Sequence, residues 1–107
     1  MSEGWKPDWA VHPGELIREM CEERGMRQAH LAGACQVSIK HMNQVVTGAK
    51  PLHANLAVAI EFALATRCAD VLMRMQADYD VFHARKAQVE RVETMAKFLA
   101  ENHGDAP

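Results

Sequence analysis

RQAHLAGACQVSIKHMNQVVTG, residues 27–48, reads as two short helices joined by a tight turn. Ala29, Leu31 and Ala32 are small or apolar on the first, and Cys35 and Val37 carry apolar positions through the turn. Ser38 has the chemistry of an N-cap, a hydroxyl that accepts from a backbone N–H the first helical turn leaves free, so a second helix can begin there. On that helix Met42, Val45 and Val46 fall at i, i+3 and i+4, one buried stripe. Ile39, Lys40, His41, Asn43 and Gln44 are left facing outward: hydrogen-bonding groups, one cation and one apolar side chain. Gly48 stands where a C-cap is expected. A helix held against a neighbour by a short turn is the helix-turn-helix plan, whose second helix enters the DNA major groove.

A helical hairpin inside a plain bundle would show the same periodicity, and charge separates the two readings. Residues 26–56 contain Arg27, Lys40 and Lys50 and no acid, a segment of +3. Residues 1–25 hold three basic and six acidic side chains, and residues 57–107 six and eight, so the flanks are −3 and −2. The chain total of −2 argues against unspecific nucleic-acid binding, while the acid-free segment favours one local anion-facing surface.

A chain of 107 residues that is 49% hydrophobic fits one domain, or one domain with an appendage. No run of 18 apolar residues occurs, so no membrane partner is expected. The opening MSEGWKPDW is polar and is not a secretory signal. Cys21, Cys35 and Cys68 are odd in number and lack a CxxC spacing, which points to a reduced, cytoplasmic chain with structural thiols. The six histidines form no HxxxH pair or His/Cys knuckle, so neither a metal nor any other cofactor is expected. With no nucleophile beside a base and no phosphate loop, the chain reads as a non-enzyme.

Residues 1–11 read as an N-terminal arm with Trp5 and Trp9 as anchors. His12-Pro13-Gly14-Glu15 opens a first helix, with Pro13 suited to its first position and Glu15 to its positive end. Leu16, Ile17, Met20 and Cys21 are its buried stripe, and Gly25 ends it. Gly48 and Pro51 keep the next loop non-helical. Residues 54–65 form a charge-poor helix expected to be mostly core. A last helix starts near Ala69 and runs to about Asn102. Leu72, Met75, Tyr79 and Phe82 make a 3-4-3 seam, resumed after Lys86 by Val89, Val92, Ala96 and Leu99. A seam this long exceeds what a four-helix core can cover, so it points to dimerisation, with residues 83–102 as the extension that serves it. The alternative is a bent helix folding back on its own domain. Residues 103–107 are expected to be disordered.

With these residues placed, the chain resembles the HigA-type antitoxins, a branch of the XRE, lambda-repressor-like helix-turn-helix family. Four stretches carry the resemblance: His12–Ile17; Gln28–Ala32 with Val37-Ser38; Val46–Leu52; and Leu72–Asp80, similar to the family's W-L-N-L-Q-x-x-Y-D segment. Three positions depart from it. Gln36 replaces the usual turn glycine, Arg27 the usual Ser or Thr cap, and Val71 the tryptophan. The resemblance implies an all-α, lambda-repressor-like five-helix domain over residues 12–82 with a long C-terminal helix.

It also implies that Ile39, Lys40, His41, Asn43 and Gln44 read bases. The chemistry suits that role: Gln44 or Asn43 can pair with adenine, Lys40 can donate to guanine, and Ile39 fits a thymine methyl. Arg27, Gln28, Ser38, Thr47 and Lys50 sit at helix ends or in the adjoining loop, where phosphate contacts set register. The implied function is a homodimeric, sequence-specific transcriptional repressor on an inverted-repeat operator in double-stranded DNA, autoregulating its operon. A HigB-like RNA-cleaving toxin is the implied protein partner. A stand-alone prophage or plasmid regulator, and an interaction module working through the C-terminal helix, are the competing readings. Asp78 and Asp80 read as helix surface.

Overall fold

The computed structural model describes residues 10–102, so the expectations for arm residues 1–9 and for the 103–107 tail lie outside the described residues. Five helices follow one another: α1 (Pro13–Glu23), α2 (Gln28–Ala34), α3 (Ile39–Val46), α4 (Ala54–Leu64) and α5 (Ala69–Asn102). The fold is all-α with a long C-terminal helix, as the periodicity and the resemblance imply.

Helix ends explain the chain path. Past α1, Gly25 takes φ +61, the Gly25 N–H donates to the Glu22 carbonyl and the Met26 N–H to the Cys21 carbonyl. That closure satisfies two carbonyls the helix would otherwise leave open. α2 ends the same way with a residue unsuited to it. Gln36 takes φ +59, its N–H donates to the Gly33 carbonyl and the Val37 N–H to the Ala32 carbonyl. The turn usual for a glycine is therefore kept, with a β-carbon in the left-handed region, where L-residues carry a steric cost.

α1 packs against α2, α3 and α5; α2 packs against α3 and α4; and α4 lies on α5. Ile17, Leu31, Met42, Val45, Ile60 and Leu72 meet in the centre with almost no exposed surface. Leu52 pins the α3–α4 loop into this core, and its N–H donates to Gln76 Oε1 at 2.8 Å. Gln76 is buried, and its Nε2 donates to Asp80 Oδ1 at 2.9 Å, so both ends of the amide are satisfied. Asp80 is exposed but orients this amide, a duty beyond the plain helix surface expected of it. At the other end of α4, Glu61 Oε1 accepts from the Ala69 N–H at 2.9 Å and caps α5.

Two expectations need correction. α4 is not mostly core: Leu56, Ala57, Ile60 and Leu64 suffice to fill its share, and Phe62 stands 78% exposed with Val58 on the same outer face. The seam on α5 is not one surface. Leu72 is fully buried in the domain's own core and is unavailable to a second copy. Met75, Tyr79 and Phe82 are half-buried against the domain, whereas Val89, Val92, Ala96 and Leu99 project from the free part of the helix.

Candidate nucleic-acid interface

α3 is positioned by its ends and by α1 beneath it. Ser38 Oγ accepts from the His41 N–H at 2.9 Å, which leaves the hydroxyl hydrogen free to donate outward. At the far end Thr47 Oγ1 donates to the Asn43 carbonyl at 2.9 Å, and the Lys50 N–H donates to the Gln44 carbonyl at 3.0 Å. Met42, Val45 and Val46 are buried, so the helix cannot rotate about its axis without exposing them.

Of the residues expected to read bases, Ile39, Lys40 and Asn43 are exposed and Gln44 is half-buried. All four fall within one outward arc of about 140°. Ile39 is 60% exposed, an apolar side chain held out in water. His41 does not join them. It lies half-buried at the edge of α3, lining a cleft with Cys35, Val37, Pro51 and His53.

Among the expected phosphate-binding residues, Arg27 and Lys50 are exposed and Gln28 is half-buried. Arg27 is the N-cap of α2 but makes no side-chain cap, so its guanidinium is not tied to its own helix. Among the described residues the one ion pair is Arg24–Glu23, at 3.9 Å, and it involves neither Arg27 nor Lys50. Thr47 is different. Its hydroxyl hydrogen is spent on α3, and a phosphate contact would have to displace that bond.

Beneath α3 lies a residue pair that spacing alone did not single out. Gly14 is buried where α1 crosses the end of α3, and a Cβ there would overlap the Val46 carbonyl oxygen. Beside it His12 caps α1, with Nδ1 accepting from the Gly14 N–H at 2.9 Å. The imidazole is buried, meets Tyr79 edge-on at 4.7 Å between centroids, and its Nε2 has no partner among the described residues. The HPGE opening thus joins α1, the end of the helix-turn-helix and α5. The histidine cap was the hidden part, since His is not among the usual N-cap residues.

Burial pushes the His12 pKa below its ordinary value of 6.5, partly opposed by the carboxylates of Asp80 and Glu15. The unfolded chain therefore binds the proton more readily than the folded one. The resulting stability is fully present above about pH 6.5 and is lost as the pH falls through that value toward the depressed folded pKa. His12→Asn keeps a capping acceptor and removes the titration. Its melting temperature should consequently drop less than the wild type's between about pH 7.5 and 5.5. Equal pH slopes for the two proteins, followed by circular dichroism, would count against a titrating His12.

Burial likewise raises the thiol pKa values of Cys21, Cys35 and Cys68, which keeps them protonated at neutral pH. Among the described residues no group of His, Cys, Asp and Glu side chains could hold a metal ion. No described helix is long and apolar enough to cross a membrane.

Solved structures share this arrangement. The Pseudomonas aeruginosa antitoxin HigA with the higBA promoter superposes with a TM-score of 0.69 at 29% identity, over 80% of this chain and 94% of that one. The fold is that of the HigA antitoxins. A second Pseudomonas aeruginosa structure, in complex with its operator DNA, gives 0.69 at 28% identity over 80% and 94% of the two chains. An addiction-module antidote protein of the HigA family from Coxiella burnetii shares the fold at 0.65 and 24% identity, over 78% and 91%. No protein-family model matches the sequence, and no curated protein matches it. The HigA likeness read from the sequence is the likeness the solved structures show in their fold.

Proposed function

We propose that this chain is a DNA-binding antitoxin of the HigA kind: a dimeric repressor that reads an inverted repeat through α3 and autoregulates its operon. The outward arc of Ile39, Lys40, Asn43 and Gln44 on a capped helix, flanked by the exposed Arg27 and Lys50, carries this reading. A HigA antitoxin solved with its promoter has the same fold, which supports carrying DNA binding over to this chain. The free half of α5, with Val89, Val92, Ala96 and Leu99 exposed, supplies a seam for pairing two copies across a two-fold axis. Two copies would set two recognition helices against half-sites about 34 Å apart. The proposed partner beyond DNA is a HigB-like toxin, and no step in this function is enzymatic.

Gln44→Ala tests the assignment. It should weaken binding to the operator by about 1–3 kcal/mol and relax discrimination at one base-pair position of each half-site. Fluorescence anisotropy against the promoter of the chain's own operon and single-base variants reads both effects. Normal affinity and normal discrimination in the variant would remove α3 from the reading role. The competing interaction-module reading requires the wild type to ignore the promoter altogether.

A further inference from the structure

His41 leaves the reading arc, but only by a little. It precedes Gln44 by three residues, so it lies about 60° round α3 from that side chain. It lines its cleft with His53 and Asn55, which bracket the start of α4, over apolar Val37 and Leu56. His53 is exposed and makes no side-chain cap on α4, so its imidazole is not tied to its own helix. Two imidazoles and an amide thus border the arc on its Gln44 edge, where the Lys50 N–H also holds the loop to the Gln44 carbonyl. On the opposite edge Val46 is buried where α1 crosses.

A helix with its side chains is about 10–12 Å across, and the major groove of DNA is about 12 Å wide. A helix seated with its reading arc toward the bases is therefore flanked by the sugar-phosphate wall, and groups just beyond the arc face phosphates rather than base edges. The cleft suits that neighbour. Its titratable groups are His41 from α3, His53 from the loop and the Cys35 thiol from the end of α2, which burial keeps protonated. α4 contributes Asn55 and no carboxylate to the lining. Lys40 and Lys50 flank it in sequence, and residues 26–56 hold no acid. No carboxylate lining the cleft favours a charged imidazole in the free protein, whereas a phosphate would. Histidine is the side chain whose charge changes in the range just around neutrality.

We propose that His41 and His53 form a proton-dependent clamp on the phosphates that wall the groove. Each imidazole takes a proton from solvent as the operator seats, so binding tightens as the pH falls. The clamp rests on α3 reading the major groove, as in the proposed function. It adds to Arg27 and Lys50, whose charges are fixed, a pair of contacts that pH turns on and off.

Fluorescence anisotropy on the full chain, with the promoter duplex and an unrelated one at about pH 6, 7 and 8 and constant ionic strength, tests this. Circular dichroism at each pH verifies that the wild type and every variant stay folded. Wild-type affinity should rise at least about tenfold from pH 8 to pH 6 for both duplexes, since a dimer gains four charge contacts of ordinary surface strength. The log–log salt slope should steepen over the same range by as much as about 3.6, four further phosphates per dimer. Glutamine keeps a hydrogen-bonding side chain but takes up no proton. His41→Gln and His53→Gln should each remove roughly half of the pH response, and the double variant nearly all of it. His30→Gln, on the exposed face of α2 and outside the cleft, should keep the response whole. Equal affinity at pH 6 and pH 8, with Gln44→Ala still weakening cognate binding, would overturn the clamp and leave the reading role of α3 standing. A pH response that survives the double variant, or disappears in His30→Gln, would put the proton elsewhere and equally overturn it. A wild type that ignores the promoter at every pH would remove the reading role of α3 and the clamp with it.

Discussion

Gly14→Ala is expected to lower the stability of the domain by about 3 kcal/mol or more, out of the roughly 5–15 kcal/mol a small domain possesses. The added Cβ would overlap the Val46 carbonyl oxygen and sit 2.8 Å from the Val46 Cα. Those are backbone atoms of α3, so no side-chain rotation relieves the clash, and α1 must lift off α3. The displaced residues would include Ile17, which is almost fully buried, and His12, whose cap bond to the Gly14 N–H would be strained. Overpacking at a flexible side chain typically costs about 1–3 kcal/mol, and overlap with a fixed helix end lies at or beyond the top of that range. For a domain of this size the melting temperature should fall by more than about 10 °C. Thermal and urea denaturation followed by circular dichroism check this. A variant that melts with the wild type would mean that α1 and α3 do not approach as closely as described.

That close approach shows which part of the molecule could be read in advance. Local rules placed the helices: Gly25 ends α1 through a positive φ, Ser38 caps α3, and the Met42, Val45 and Val46 stripe turned inward as its spacing required. These features depend only on neighbours a few residues away. The need for glycine at position 14 depends on Val46, 32 residues distant in sequence, and no periodicity carries that information. Gln76 is similar. On the helix it looks like an exposed amide, and only its reach to the Leu52 N–H explains its burial. The seam divided for a third reason. A 3-4 repeat says that a face is apolar, not whose core it enters, so Leu72 in the domain and Val89 in the open carried the same signal. His41 lies at the margin of the candidate interface. It is polar and adjacent in sequence to the reading residues, yet helical rotation carries it off their arc into a cleft.

Operator binding by the proposed dimer is expected to fall about 150-fold between about 50 and 200 mM salt. Arg27, Lys40 and Lys50 give each copy three cations in a segment without acids, and all three are exposed. Of these, Arg27 and Lys50 lie where phosphates pass, so two copies would neutralise about four phosphates, each releasing a condensed counterion, for a log–log slope near −3.6. Arg27 and Lys50 differ from Lys40 in what they can report. Arg27, at the start of α2, and Lys50, past the end of α3, flank the proposed reading arc, so on that reading their contacts would hold register without distinguishing bases. Lys50→Ala should accordingly weaken cognate and unrelated duplexes by the same factor and make the slope shallower by about 2, one counterion per copy. Lys40→Ala, inside the arc, should weaken the cognate site more than the unrelated one. Titrations at four or five salt concentrations with both duplexes separate the two behaviours. A Lys50→Ala variant that loses affinity for the cognate site alone would place Lys50 on a base edge and shift the bound orientation of α3 toward its C-terminal end.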